Sequence, residues 1–212
     1  MNNDREVIVS QILAAEILCE LHKLGYKPVF AKPSPTLTTE LRYHPDILAF
    51  HLPDGKWISE ADRIVLSDAY PDDCIFNCAS IGRTLIYGNS FIALKFGYMF
   101  EHLIKVRQSY VKCSCIVLDD KAVITSDPSI YKALSGRFDV LKTSNENIFL
   151  NGFSCGFIGG ASGVVDNTIL FCGSIKKHKD YNNIKAFANN CGFDIYSLSN
   201  ADLYDYGGIL PV

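Results

Sequence analysis

One short pattern recurs along this chain and constrains its fold more than any other feature: an apolar strand, a tight polar turn and an apolar return strand. Ile47-Leu48-Ala49-Phe50 leads into the turn Pro53-Asp54-Gly55 and returns as Trp57-Ile58. Cys74 to Ser80 breaks at Gly82 and returns as Thr84-Leu85-Ile86-Tyr87. Cys113 to Leu118 turns at Asp119-Asp120 into Ala122 to Thr125, and Phe157 to Val165 turns at Asp166-Asn167 into Ile169 to Cys172. Each pair carries the hairpin signal. Helical stretches separate several of them. Asp127 caps Pro128 to Leu134, with Gly136 as the stop; Tyr181 to Cys191 stops at Gly192; Phe96 to Val106 is a third helix candidate. Extended pieces follow at Phe138 to Leu141 and Asp194 to Leu198. The unit reads hairpin, helix, strand, and repetition at about forty residues is the mark of a propeller or solenoid. The second unit, Arg63 to Tyr87, is short and shows no helix.

The two ends of the chain complete the pattern. Val7-Ile8-Val9 is a strand, followed by a helix from a Ser10 cap to a Gly25 stop, then by the strand Lys27-Pro28-Val29-Phe30. At the other end Tyr206-Gly207-Gly208-Ile209-Leu210 is half a hairpin, and its partner is the strand Val7 to Val9. Pairing the first strand with the last removes exposed sheet edges by closing a ring. The expected fold is α/β (α+β): a single domain over residues 1–212, built of five ββαβ-type units in a β/α-propeller ring closed by its terminal strands.

Composition narrows the function classes. Hydrophobic residues are 48% and charged residues 20% of the 212, which excludes intrinsic disorder. A net charge of −3 supplies no positive field for DNA or an anionic membrane, so neither is expected as a partner. Met1 to Glu6 is polar, and no stretch reaches the roughly 18 uninterrupted apolar residues of a membrane helix. A reduced, cytoplasmic protein is expected. The eight cysteines are too dilute for a disulfide scaffold and are expected mostly as small buried hydrophobes. Their only close spacings are Cys74-x3-Cys78 and Cys113-x-Cys115, not the paired C-x2-C of zinc sites, and no metal or cofactor is expected. On a strand Cys113 and Cys115 share a face, which leaves a metal or thiol site there as a third possibility behind the two below.

The segments Asn77-Cys78-Ala79-Ser80-Ile81-Gly82, Gly156-Phe157-Ile158-Gly159-Gly160-Ala161-Ser162-Gly163 and Asp205-Tyr206-Gly207-Gly208-Ile209-Leu210-Pro211, set in five such units, resemble the pentein or β/α-propeller superfamily. That superfamily includes the guanidino-group modifying enzymes (arginine and agmatine deiminases, dimethylarginine hydrolases, amidinotransferases) and a non-enzymatic ribosome-associated initiation factor. The chain is most similar to an uncharacterised bacterial group within it. The likeness extends over nearly the whole chain as a pattern, through short motifs.

The resemblance implies a specific chemistry. A guanidine is a planar cation held by carboxylates in bidentate geometry, attacked by a thiolate, with a proton donor such as His for the leaving nitrogen. The enzymes of the superfamily carry a Gly-Gly-Asp, a His-x-Asp and a Cys soon after a Gly-Gly. His44-Pro45-Asp46 matches His-x-Asp, although it precedes the other motifs; read without the family, it is a loop-ordering Asp beside a surface His. Gly159-Gly160 matches the Gly-Gly of the first motif, but Ala161 stands in the place of the acid, and close backbone packing explains the glycines equally. Gly207-Gly208 matches the last motif, but Ile209, Leu210, Pro211 and Val212 follow, with no cysteine. Cys113 is the substitute nucleophile, its pKa lowered if Lys112 converges on it. Asn77, Ser114 and Ser162 supply hydrogen bonds in a central pocket, with Gly159, Gly160, Gly207 and Gly208 at its wall.

Two function classes stay open. One is a protein that binds, and hydrolyses or transfers from, a small guanidine-, amidine- or amide-bearing molecule, with His44 as acid–base residue and Asp46 orienting it or gripping the ligand. The other is a catalytically silent pentein that acts as a protein- or ribosome-binding module, favoured by the missing cysteine and the missing Gly-Gly-Asp. The run Lys176-Lys177-His178-Lys179 is read as a solvated face, and the acidic pairs Asp72-Asp73 and Asp119-Asp120 as turn chemistry.

Overall fold

In the first strand, β1 (Arg5–Val9), Val7 and Val9 are buried while the alternate residues are not, the two-residue period of a half-buried strand. The computed structural model describes residues 5–212. Helix α1 (Ala15–Lys23) follows, burying Ile17 and Leu21 four residues apart. Gly25, with φ of +80°, ends it. Its start differs from the expected one. Ser10 does not cap α1; its Oγ accepts from the Ile12 amide at 3.3 Å, closing a separate turn before the helix begins. Strand β2 (Tyr26–Phe30) then runs parallel to β1.

The remaining elements, in chain order, are α2 (Pro45–Leu48), β3 (Ala49–His51), β4 (Trp57–Ser59), β5 (Ala79–Ile81), β6 (Thr84–Tyr87) and α3 (Phe91–Phe96). Next come β7 (His102–Lys105), β8 (Cys115–Val117), β9 (Ala122–Thr125), α4 (Pro128–Leu134), β10 (Asp139–Lys142) and β11 (Ile148–Phe149). The last are β12 (Ser162–Val165), β13 (Thr168–Phe171), α5 (Tyr181–Asn190), β14 (Asp194–Ser197), β15 (Leu203–Tyr204) and β16 (Leu210–Pro211).

Three sheets share one plan. The hairpins β5–β6, β8–β9 and β12–β13 are antiparallel, and after α3, α4 and α5 respectively a third strand lies parallel to the second. A fourth sheet follows the same plan with strands from both ends of the chain: β16 is antiparallel to β1, with Val7 opposite Pro211 and Ile8 opposite Leu210, and β2 is parallel to β1 beyond α1. Hairpin β3–β4 stands apart, a two-stranded sheet with no third strand. The short parallel pair β11–β15 lies outside the plan. Helix α4 starts as the sequence indicates: Asp127 Oδ1 accepts from the Ser129 and Ile130 amides at 2.7 and 2.9 Å, and Pro128 takes the first helical position.

The structure corrects the sequence reading in two ways. Residues 96–106 are not one helix. The helix is 91–96, and His102–Lys105 is a strand whose Ile104 faces Ile86 across the parallel pair. The tertiary pairing with β6 decides this segment over its local helical pattern. The unit lacking a helix and third strand is therefore the one containing β3–β4, not the next. Second, the strands expected at 47–50, 74–80, 113–118 and 157–165 begin two to five residues later than their apolar runs, at 49, 79, 115 and 162. Their leading residues curl into turns whose backbone groups bond to other segments rather than to a sheet ladder. Asp46 N donates to Gly207 O, Val111 N to Asn77 O, and Gly160 N to Cys113 O.

The core is apolar and divided among the sheets, with Phe76 and Phe171 completely buried. Among the described residues no helix is long and apolar enough to cross a membrane. All eight cysteines are free thiols, and five of them are buried.

Candidate functional site

The trimmed leading segments meet one another. Asp46 N donates to Gly207 O at 3.1 Å, and Gly208 N and Tyr206 N both donate to Gly160 O, at 2.7 and 3.1 Å. Gly160 N donates to Cys113 O at 3.0 Å. Cys113 N donates to Asn77 Oδ1 at 3.2 Å, and Asn77 Nδ2 donates to Asp46 O at 2.9 Å. The bonds return to Asp46, so five sequence-distant segments are joined in a closed cycle. Every sequence-predicted site residue lies in it or against it. Gly159, Gly160, Gly207 and Gly208 make it tight. A Cβ on Gly160 would stand 2.0 Å from Asp205 Oδ1, and one on Gly207 would stand 2.4 Å from His44 Cα, with φ already at +79°. Ser162 Oγ donates to Ile158 O at 2.8 Å and is spent on the backbone. Ser114 Oγ is buried without a partner.

The charged groups are concentrated at one side of this cycle. His44, Asp46 and Asp205 are 0%, 2% and 1% exposed. His44 therefore is not the surface residue that the plain sequence reading allows. It occupies the position before α2, with Pro45 starting that helix and Asp46 in its first turn. Asp205 accepts from the Phe157 amide at 2.9 Å and the Gly207 amide at 3.0 Å, and its Oδ1 lies 3.6 Å from His44 Nδ1. Both ring nitrogens of His44 lack hydrogen-bond partners, and the Asp46 carboxylate, closed off from solvent, makes no well-formed hydrogen bond and has the Cys113 thiol beside it as its side-chain donor. Buried carboxylates are ordinarily paired, and an orphaned one costs several kcal/mol unless it takes a proton or a ligand (~1–3 kcal/mol for a neutral group, more for a charged one).

The titration of the cluster follows from burial. Desolvation, with the Asp205 charge added, pushes the Asp46 carboxyl up to about 6 against the pull of His44, a hydrogen bond from the Cys113 thiol and the Lys112 charge. Burial also raises Asp205, opposed by His44 and by its two backbone donors. Cys113 Sγ accepts from Asn77 Nδ2 at 3.1 Å, yet burial and the carboxylates of Asp46 and Asp205 hold the thiol well above its ordinary range. This overturns the expectation that Lys112 arms Cys113. Lys112 is itself lowered, because burial disfavours its ammonium. Cys113 also does not share a strand face with Cys115; it lies in the turn before β8, while Cys115 on β8 is buried beside Thr125 and pushed up to about 12. Among the described residues no group of three His, Cys, Asp or Glu side chains is placed to hold a metal.

A cavity of about 170 Å³ opens against the cluster, lined by Asp46 and Lys112 together with Ser80, His51, Trp57 and Pro211. His44 and Cys113 are not part of its lining; Asp46 is the member of the predicted triad that reaches it. The arrangement can therefore present one buried carboxylate to a small molecule that brings N–H donors, with an imidazole and a thiol behind it. Sequence reasoning did not single out Asp205 or place Lys112 in the lining. The signal for Asp205 was its position two residues before Gly207-Gly208, where its carboxylate can turn back onto the Gly207 amide.

Comparison with known proteins adds the following. Two solved structures of agmatine deiminase from C. jejuni, one of them a cysteine-to-serine variant with substrate bound, are similar to this chain at 10% and 9% identity, each with a TM-score of 0.46. Each similarity covers 64% of this chain and 54% of the deiminase chain, so the chain spans about half the length of those proteins. No curated protein matches the sequence. A family model described as "Family of unknown function (DUF6873)" matches residues 61–210, well over half of the chain, and the chain belongs to that family.

Proposed function

We propose that this member of the DUF6873 family is a pentein-type ring of five units whose centre binds a small molecule bearing a guanidine, amidine or amide group. The observation that carries the reading is Asp46: a residue in the lining of a cavity whose carboxylate is buried, with no well-formed hydrogen bond and only the Cys113 thiol beside it as a side-chain donor. A guanidinium or amidinium offers two parallel N–H donors, the bidentate match for a carboxylate, and a primary amide offers one edge of the same kind. Such a ligand relieves the cost of burying Asp46. The hydrogen-bonded cycle through five segments and the pairing of β1 with β16 support the ring.

In this reading Asp46 grips the ligand, Asp205 orients His44, and His44 is the acid–base residue. Cys113 is a thiol in the free protein. A bound cation beside Asp46 offsets the carboxylate charge that raises the thiol, so Cys113 gains nucleophilicity only with ligand present. Turnover requires the ligand's central carbon to pass Asp46 and reach Cys113, which lies outside the cavity lining; the thiol proton then goes to His44, a C–S bond forms, and that proton returns to the departing nitrogen as its C–N bond breaks. Water completes hydrolysis of the covalent intermediate.

The test is a panel of guanidines, amidines and primary amides, scored by calorimetric binding and by released ammonia. Binding by at least one class, reduced tenfold or more in Asp46→Asn, is the expected result. Binding unchanged in Asp46→Asn sinks the assignment. A second reading, a catalytically silent module that docks on a protein or ribosome, is favoured by Cys113 being held protonated and by the exposed apolar side chains Leu94, Tyr98 and Leu103 around α3 and β7. Binding without ammonia release, lost in Asp46→Asn and unaltered by Cys113→Ser, separates a silent ligand-binding ring from the enzyme.

A further inference from the structure

The cavity at Asp46 has a larger neighbour. Ala49, Trp57 and Leu210 line both it and a second depression of about 440 Å³, which extends over Val29, Phe30, Pro33 and Leu48. That volume is in the usual small-molecule range of about 300–1,000 Å³. The two spaces adjoin along Ala49, Trp57 and Leu210, and they differ in character. One is lined by Asp46 and Lys112; the other, a trough, is mainly aliphatic and aromatic surface, with Lys32, Ser59 and Glu60 as its polar members. Phe30 is 50% and Val29 38% exposed there, although both stand at the end of β2, next to the buried β1. Trp57 is held at the junction by its ring contact with His51, centroids 4.9 Å apart. The trough lies between β2 and the β3–β4 hairpin, with Glu60 and Ala61 of the 3-10 turn after β4 also in its lining.

Resting on the reading of Asp46 given above, we propose that the ligand is amphipathic: its N–H-donating head meets Asp46, and an apolar tail or ring lies along the trough over Phe30 and Trp57. A polar headgroup alone would leave the trough wet. An apolar molecule alone would leave Asp46 without an N–H donor. The adjoining spaces fit a molecule that satisfies both, such as an alkyl- or aryl-substituted guanidine or amidine.

The test uses the full-length protein and three probes at one pH, with calorimetric detection: methylguanidine as head alone, n-hexylguanidine as head with tail, and n-hexanol as tail alone. Each buried methylene contributes about fourfold in affinity. With part of the chain buried, n-hexylguanidine is expected to bind at least about 30-fold more tightly than methylguanidine. Phe30→Ser, at a half-exposed site, should shrink that ratio about fivefold and leave methylguanidine binding unchanged. Equal affinities for the two guanidines, or a ratio unaltered in Phe30→Ser and in Val29→Ser, would overturn the amphipathic ligand and leave the grip at Asp46 standing. Binding of n-hexanol as tight as that of n-hexylguanidine, untouched by Asp46→Asn, would show a trough without a head site and overturn both readings. No binding by any of the three also overturns both.

Discussion

Hairpins β3–β4 and β12–β13 are both antiparallel pairs and end up with opposite properties. Beyond β13 lie α5 and the parallel strand β14, and the segment leading into β12 is pressed against its neighbours by backbone: Gly159 and Gly160 leave no room for a Cβ. Beyond β4 the chain makes only the 3-10 turn Glu60–Asp62, with no α-helix and parallel third strand of the kind that follow β13, and the segment leading into β3 carries His44 and Asp46 rather than glycines. The complete unit closes its part of the centre. The incomplete one leaves a charged cavity and an apolar trough beside it. The difference is physical: a hairpin with no α-helix and third strand beside it leaves open space next to buried charged groups, and that space is where the proposed ligand would sit.

The comparison can be broken from the closed side first. Asp205→Ala strands the Phe157 and Gly207 amides and removes the group facing His44, at about 1–3 kcal/mol for each orphaned donor. A loss of about 4 kcal/mol in urea denaturation is expected; a loss under 1 kcal/mol would mean that the closed side is not held as described. Gly160→Ala, whose Cβ meets the Asp205 carboxylate, should cost about 3 kcal/mol by the same measurement.

On the open side the expected sign reverses. Asp46 is raised in the folded protein to about 6 from its ordinary 3.8. A raised carboxyl contributes stability that is fully present below the unfolded value and lost as pH rises through the folded one. Asp46→Asn should therefore stabilise the ligand-free protein by roughly 2 kcal/mol at pH 8 and have little effect at pH 4. A destabilised variant at pH 8 would mean that Asp46 is already paired. The smallest effect belongs to Ala49, which lines both open spaces. Ala49→Val should change stability by less than about 1 kcal/mol while weakening ligand binding, checked by melting and calorimetry together. A stability loss as large as that of Gly160→Ala would erase the distinction between the two sides.

Much of the framework was legible in the sequence because it is local. Hairpin turns, the Asp127 cap and the Gly25 stop each depend on a few adjacent residues. The pairing of Val7 and Ile8 with the C-terminal strand was legible as well, from an unpartnered half-hairpin at each end. What was not legible depends on distant partners. His102–Lys105 becomes a strand because β6 offers it a parallel edge, and the apolar runs at 74–78 and 157–161 leave their ladders because their amides and carbonyls bond across the centre. The candidate residues His44, Asp46, Asn77 and Cys113 could be singled out from motif and position, and the fold brings them together. Their burial could not, and burial is what reverses the expected state of Cys113 and raises Asp46.

The central claim is that Asp46 is a buried carboxylate, with only the Cys113 thiol as a side-chain donor, that takes an N–H-donating ligand. Its most direct test is calorimetric titration with methylguanidine from pH 5 to pH 8, in the unaltered protein and in Asp46→Asn. Affinity should rise as pH passes through about 6, where Asp46 loses its proton, and should be lost at every pH in Asp46→Asn. Binding that ignores pH across this range, or that survives in Asp46→Asn, would contradict the account.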